Sequence, residues 1–209
     1  MIIGIGFFTK EKILELMEKI PKEELLSSVF EAFSPDDVMK LMPQEYMDKF
    51  FASTELNKTV LFSHMKDLEP VVLAQMIESV TGEPVQNMNN TAMLTQIQQM
   101  SEGNYLNAMK AMDPNVQREL VLNMGKDNSD IFMIFDTKAY TGMLNYLQKP
   151  DLLKSMDKMQ PESLLFMLDK LPQNLMSVVT TQVDSEVFAE YLIKECPEIL
   201  EEIVAFNLS

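Results

Sequence analysis

Three prolines spaced eleven residues apart constrain the fold of this chain more than any other feature. They are Pro150, Pro161 and Pro172, within the segment from Lys149 to Val179. An apolar pair follows each proline by two to four residues. Proline is tolerated in the first turn of a helix, where its missing N–H would be unpaired, but it disrupts a helix interior. Each repeat therefore predicts one short helix that begins near its proline and ends before the next.

The same pattern recurs on both sides of this segment. Later units begin at Asp184 and Pro197, and earlier ones at Pro21 and Pro43. The clearest helix start is Ser34-Pro35-Asp36-Asp37, which places a capping serine, a proline at the first helical position and two acids in order. Helices of two or three turns are not stable alone, so each must bury its apolar stripe against its neighbours.

The composition agrees with an all-α fold. The chain has 209 residues, is 46% hydrophobic and contains only six glycines. One apolar run, IFMIF at 131–135, is compatible with a buried strand, but we predict a helix because no nearby segment offers a strand partner. We predict an all-α protein of about a dozen short helices in a right-handed superhelix. The alternative is an irregular helical bundle whose helices also begin at prolines.

We predict one domain spanning residues 1–209, with a weak joint at 82–91. Thr81-Gly82-Glu83-Pro84 predicts a helix end in which glycine adopts the left-handed conformation. The polar, asparagine-rich residues that follow predict a loop. At other helix boundaries, Thr9 is expected to cap the first helix, and Gly125 is expected to end the helix that begins at Asp113-Pro114.

The charge of the chain restricts its partners. Acidic residues outnumber basic ones by 32 to 17, which gives a net charge of −15. Such a charge repels nucleic acid and anionic membrane surfaces, and attracts cations or a basic partner. No secretory signal is visible and no apolar run reaches the ~18 residues that span a bilayer, so we expect a cytoplasmic protein without membrane insertion. The apolar ending EEIVAFNLS suggests a continuation or a packed terminus.

Short helices joined by proline turns, as in MDKMQPESLLFMLDKLPQNLMSVV, give the chain a resemblance to a known family. The pattern resembles the cytoplasmic N-terminal superhelical domain of MgtE-type magnesium transporters and, more distantly, the short-helix repeats of the flagellar motor switch protein FliG. The resemblance covers residues 150–207 best and 9–51 less well. It implies a regulatory module of coiled short helices. It does not imply transport, because the chain lacks membrane-spanning segments.

Few residues of the chain suggest chemistry. His64 and Cys196 are the only histidine and cysteine, and the acids beside Cys196 disfavour a reactive thiolate. No catalytic motif is present, so we predict that the chain is not an enzyme and binds no cofactor. Acidic residues at Asp127, Asp130 and Asp136 are the candidate ligands for weak Mg²⁺ or Ca²⁺ binding. Capping already explains most of the other acidic pairs.

Methionine is unusually frequent, with nineteen residues. Because its thioether side chain is flexible, methionine fills irregular core gaps and also suits adaptable binding grooves. We favour core filling for most of them. The preferred function is a non-enzymatic cytoplasmic interaction or regulatory module that binds a segment of another protein. The alternatives are a Mg²⁺-responsive regulatory domain and, last, an enzyme of unknown class.

Overall fold

The structure, a computed structural model, describes residues 9–156 and 158. These residues form eleven α-helices and one 3₁₀ helix and contain no strand, which confirms the all-α prediction. The helices are α1 (Lys10–Met17), α2 (Lys22–Ala32), α3 (Pro35–Leu41), α4 (Gln44–Ala52), α5 (Lys58–Met65), α6 (Pro70–Thr81), α7 (Asn90–Gln98), α8 (Glu102–Ala111), α9 (Pro114–Asp127), the 3₁₀ helix (Ser129–Ile134), α10 (Thr137–Leu144) and α11 (Lys149–Met156). The predicted units at Pro161, Pro172, Asp184 and Pro197 lie outside the described residues.

Six of the seven prolines in the described chain stand at helix starts, and the seventh, Pro84, lies in the segment after α6. Pro35, Pro70 and Pro114 occupy the first helical position of α3, α6 and α9. Pro21 and Pro43 are the N-cap residues of α2 and α4. Pro150 is the second residue of α11. Proline lacks the N–H that an interior helical position needs, so these positions fit its chemistry. The prediction of short helices begun at prolines is confirmed for these units.

Short polar side chains cap many of the same helices. The Thr9 hydroxyl accepts a hydrogen bond from the Lys12 amide at 3.3 Å, as the sequence predicted. At the start of α3, the Ser34 hydroxyl accepts from the Asp37 amide at 3.2 Å and donates to the Asp37 carboxylate at 2.7 Å. These bonds satisfy amides that have no partner within the helix.

The prediction that Gly125 ends its helix is wrong. Helix α9 continues through Gly125 to Asp127, and Asn128 follows in an extended conformation with φ −151°. Gly125 instead provides space, because a Cβ atom there would lie 2.4 Å from Cζ of Phe132. The IFMIF run that contains Phe132 is helical as predicted, although most of it forms the 3₁₀ helix rather than an α-helix.

Contacts between Cα atoms divide the chain into two compact units. Of the described residues, 9–33, 144–156 and 158 belong to the first unit, and 34–143 form the second. In the described part of the first unit, α2 packs against α11. The Lys158 ammonium donates to the carbonyl oxygen of Ala32, the last residue of α2, at 3.2 Å. The Lys10 ammonium donates to the carbonyl oxygens of Asn145 and Leu147.

In the second unit, α6 packs against α7 and α8, while α9 packs against α3, α4, α5 and the 3₁₀ helix. The Phe50 and Phe135 rings stack there with centroids 4.9 Å apart. Helices α6 and α7 are joined by residues 82–89, which begin with Gly82 at φ 72°, as predicted for the end of α6. That residues 82–91 form a weak joint stays a prediction.

Methionine fills much of the described core. Twelve of the fifteen methionines that the structure describes are buried: Met17, Met39, Met42, Met47, Met65, Met76, Met93, Met109, Met112, Met124, Met143 and Met156. Their flexible side chains suit the irregular spaces left between helices of differing length. These positions agree with the core-filling interpretation.

Candidate functional site

A cavity of about 380 Å³ opens in the second unit where three helix ends meet. Its walls come from the end of α4, the segment leading into α5, and the first turns of α5 and α8. The lining residues are Ala52, Ser53, Thr54, Leu56, Lys58, Glu102, Tyr105 and Leu106. Because α4 packs against α8, this arrangement is held by the helical framework of the unit.

The lining residues differ in chemistry according to their exposure. Leu56 and Tyr105 are buried and Leu106 is half-buried, so they supply an apolar surface. Lys58 and Glu102 are exposed and bring one charge of each sign. A cavity with an apolar lining and a few polar groups is the usual form of a binding pocket.

Tyr105 is the unusual member of this set. It is 3% exposed, and its hydroxyl oxygen is buried without a hydrogen-bond partner. Burial raises the pKa of Tyr105 above its ordinary value, so the hydroxyl stays protonated and remains a donor. The ring is fixed by the edge-to-face Phe62 ring, with centroids 6.2 Å apart, and by the Lys58 ammonium 4.9 Å from the ring centroid. A buried hydroxyl without a partner carries a desolvation cost that an acceptor would relieve.

Two helices begin at the cavity. The Asn57 side chain caps α5 by accepting from the amides of Thr59 and Val60 at 3.0 and 3.3 Å. The Ser101 hydroxyl caps α8 by accepting from the Asn104 amide at 3.4 Å. Helix N-termini carry partial positive charge. The dipoles of α5 and α8 therefore add to the positive charge of Lys58, while Glu102 opposes it.

The residues predicted from the sequence to bind metal lie apart from this cavity. Asp127 ends α9, and its Oδ2 atom lies 3.3 Å from Nε2 of His64. Asp130 lies in the 3₁₀ helix, and Asp136 accepts a hydrogen bond from the Ala139 amide at 2.8 Å at the start of α10. Within residues 9–156 and 158, no three His, Cys, Asp or Glu side chains are grouped to hold a metal ion. The prediction of Mg²⁺ or Ca²⁺ binding stays untested.

His64 lies beside an acidic side chain of the following helices. Its side chain is 16% exposed on α5, which packs against α9, and it contacts the exposed carboxylate of Asp127. A catalytic pair of His64 with Cys196 cannot be checked in the structure, because Cys196 lies outside the described residues. The described contacts therefore give His64 one acidic neighbour.

Sequence reasoning missed the cavity, and in particular Lys58 and Tyr105. Two sequence signals were available, because Asn57-Lys58 and Ser101-Glu102 each place a capping side chain before a charged first residue. Neither signal shows that the two helix starts lie together. That juxtaposition comes from the packing of α8 against α4 and of α7 against both α5 and α8.

Comparisons with protein-family models, with curated proteins and with solved structures give no match to this chain. The resemblance to the MgtE-type domain therefore stays a prediction. Among the residues that the structure describes, none of the helices combines the length and apolar character needed to cross a bilayer.

Proposed function

We propose that this chain is a non-enzymatic protein-interaction module that binds a segment of a partner protein. The cavity at the starts of α5 and α8 is the observation that carries the proposal. It combines an apolar lining from Leu56, Tyr105 and Leu106 with the charged residues Lys58 and Glu102 around a space of about 380 Å³. Protein interfaces concentrate their binding energy where one anchoring side chain enters such a pocket.

The surroundings of the cavity favour a preformed site. The Tyr105 ring contacts both Phe62 and Lys58 and the residue is 3% exposed, and Leu56 is 5% exposed. A partner would therefore order few side chains at the base of the cavity on binding, which lowers the entropic cost of association. In this proposal the proline-started helices continue as a right-handed superhelical array of the MgtE type, and the module acts in the cytoplasm as a regulatory component.

A peptide-display selection tests this function. The native chain is the only target of the selection, and each enriched peptide is then compared on the native chain and on the Ala52→Trp variant. Ala52 is exposed at the end of α4 and lines the cavity, so an indole at this position fills space without disturbing the core. Calorimetry then measures the affinity of the selected peptides. We expect Ala52→Trp to weaken binding by at least about tenfold, or 1.4 kcal/mol.

The matched control is Lys110→Trp. Lys110 is exposed near the opposite end of α8 and does not line the cavity. Selected peptides should keep their affinity for this variant. Enrichment of no peptide, or equal affinity for the native chain and Ala52→Trp, would contradict the proposal.

A divalent-cation-responsive regulatory domain is the second candidate, and the net charge of −15 favours it. Cations reduce repulsion among clustered carboxylates, so binding would compact the chain. Small-angle scattering with and without millimolar Mg²⁺ separates the two functions. An unchanged radius of gyration would exclude this candidate and leave the peptide-binding proposal intact.

A further inference from the structure

We propose that Met88 and Met100 are sites of methionine oxidation, and that their conversion to sulfoxides releases α7 from the helices around it. The inference goes beyond the proposed function, because it concerns a chemical modification of residues that do not line the cavity. Three observations favour it: the exposure of these two methionines, their positions at the two ends of α7, and the dependence of α7 on apolar packing.

Met88 and Met100 are more accessible than most of the methionines that the structure describes. Twelve of those fifteen are buried, and the other three, Met88, Met100 and Met133, are half-buried. A peroxide oxidises methionine when the thioether sulfur attacks one peroxide oxygen. The O–O bond breaks and water is released, so the sulfur gains an oxygen atom and is oxidised while the peroxide is reduced. Because the sulfur must meet the oxidant, the half-buried methionines react before the buried ones.

The two residues lie at opposite ends of α7. Asn89 is the N-cap of this helix, so Met88 stands directly before the cap. A hydrophobic residue in that position commonly packs against the fourth residue of the helix, which here is the buried Met93. At the other end, the Met100 amide donates to the Ile97 carbonyl oxygen at 3.2 Å, just beyond the last turn. An oxidisable thioether therefore stands just outside each end of α7.

Apolar packing is the main interaction that holds α7 in place. The helix has nine residues, none of them charged, and its buried side chains are Met93 and Ile97. It packs against α5, α6 and α8. A helix of this length is not stable alone. A sulfoxide is polar, so burying it against apolar neighbours carries a desolvation cost. Oxidation at both ends therefore favours the separation of α7 from these helices.

Limited treatment of the whole chain with hydrogen peroxide tests where oxidation occurs. Tandem mass spectrometry localises each sulfoxide and measures the oxidised fraction of each methionine over time. Met93 and Met109 serve as internal references, because they are buried in the same part of the chain. We expect Met88 and Met100 to oxidise at least about tenfold faster than these two residues.

Amide hydrogen exchange tests the release of α7. After oxidation of Met88 and Met100, the amides of Leu94 and Ile97 should exchange at least about tenfold faster than in the untreated chain. A double variant, Met88→Leu with Met100→Leu, nearly conserves side-chain volume and cannot be oxidised at these positions. It should keep slow exchange after the same treatment. Met133→Leu, which removes the third half-buried methionine, is the matched control and should respond like the native chain.

Three outcomes would overturn the inference. The first is oxidation of Met88 and Met100 no faster than that of Met93, which would show that their sulfurs are shielded. The second is unchanged exchange in α7 after oxidation, which would show that the helix tolerates the sulfoxides. Both are measured on the native chain and need no variant. The third is equal acceleration in the double variant, which would assign the release to other methionines. None of these measurements involves peptide binding, so their failure leaves the proposed function intact.

Discussion

Arg118 Nη2 donates a hydrogen bond to the carbonyl oxygen of Met42 at 3.0 Å. The same side chain donates from Nε to the Met39 carbonyl oxygen at 3.0 Å. Arg118 is the only arginine in the chain, and it extends from α9 to the carbonyl groups at the end of α3. The Met39 carbonyl oxygen also accepts from the Met42 amide at 3.2 Å, so the guanidinium is its second donor. One guanidinium thus completes the C-terminus of α3.

Replacement of Arg118 should therefore destabilise the chain. We expect Arg118→Ala to lower the free energy of unfolding by about 2 kcal/mol, because it removes two charge-assisted hydrogen bonds between α9 and the end of α3. Arg118→Lys should recover less than half of this loss, because an ammonium lacks the planar fork of the guanidinium. Urea denaturation followed by circular dichroism measures both. The exposed control Lys110→Ala should change stability by no more than about 0.5 kcal/mol.

Two glycines should respond to alanine in opposite directions. At Gly125 a Cβ atom would lie 2.4 Å from the buried Phe132 ring, so Gly125→Ala should cost about 1–3 kcal/mol. At Gly103 nothing lies within 4 Å, so Gly103→Ala in α8 should gain about 0.5 kcal/mol from reduced backbone entropy. Thermal unfolding of the two variants provides the comparison. Partial rescue of Gly125→Ala by Phe132→Leu would locate the clash, and a neutral Gly125→Ala would contradict this packing.

The buried hydroxyls of Tyr140 and Tyr105 should differ in their contribution to stability. The Tyr140 hydroxyl donates to the Phe132 carbonyl oxygen at 2.6 Å, so Tyr140→Phe should cost about 1–2 kcal/mol. The Tyr105 hydroxyl has no partner, so Tyr105→Phe should cost nothing or raise stability slightly. Chemical denaturation of the two variants measures the difference. Equal losses would show that the Tyr105 hydroxyl has a partner, such as water.

Both tyrosines should also make the fold sensitive to alkali. Burial raises the pKa of Tyr105 and of Tyr140 above the ordinary value of about 10. Above about pH 10 the unfolded chain loses these protons more readily than the folded chain does. The free energy of unfolding is therefore unaffected by the two groups below about pH 10, and it falls as the pH rises further. Tyrosinate absorbance, compared between the native chain and the Tyr105→Phe and Tyr140→Phe variants, should show that these two tyrosines ionise only as the helical signal is lost. Reversible ionisation of either tyrosine in the folded chain would contradict this prediction.

The sequence was most informative where one residue type determines a local conformation. Proline at α3, α6 and α9 and the Ser34 cap act within a few residues, so they were predictable. Gly125 was misread because its role depends on the Phe132 ring, which packs against it from the next helical segment. Glycine at a helix end and glycine under a ring are indistinguishable in sequence.

The cavity was beyond sequence reasoning for a related reason. Its two walls come from residues 52–58 and 102–106, which are far apart in the chain. The absence of a partner for the Tyr105 hydroxyl is a property of the packed structure. The acidic residues were easier to notice, but Asp127 and Asp136 are engaged by His64 and by the Ala139 amide.

The placement of proline at helix starts has a consequence for the unfolded chain. A proline restricts its own backbone and that of the residue before it even without any tertiary contact. Where the native conformation already suits it, as at Pro35, Pro70 and Pro114, this restriction lowers the entropy that folding must remove. The prolines therefore help to determine where these short helices begin, independently of tertiary contacts. Part of the stability of the fold thus comes from the lower conformational entropy of the unfolded chain.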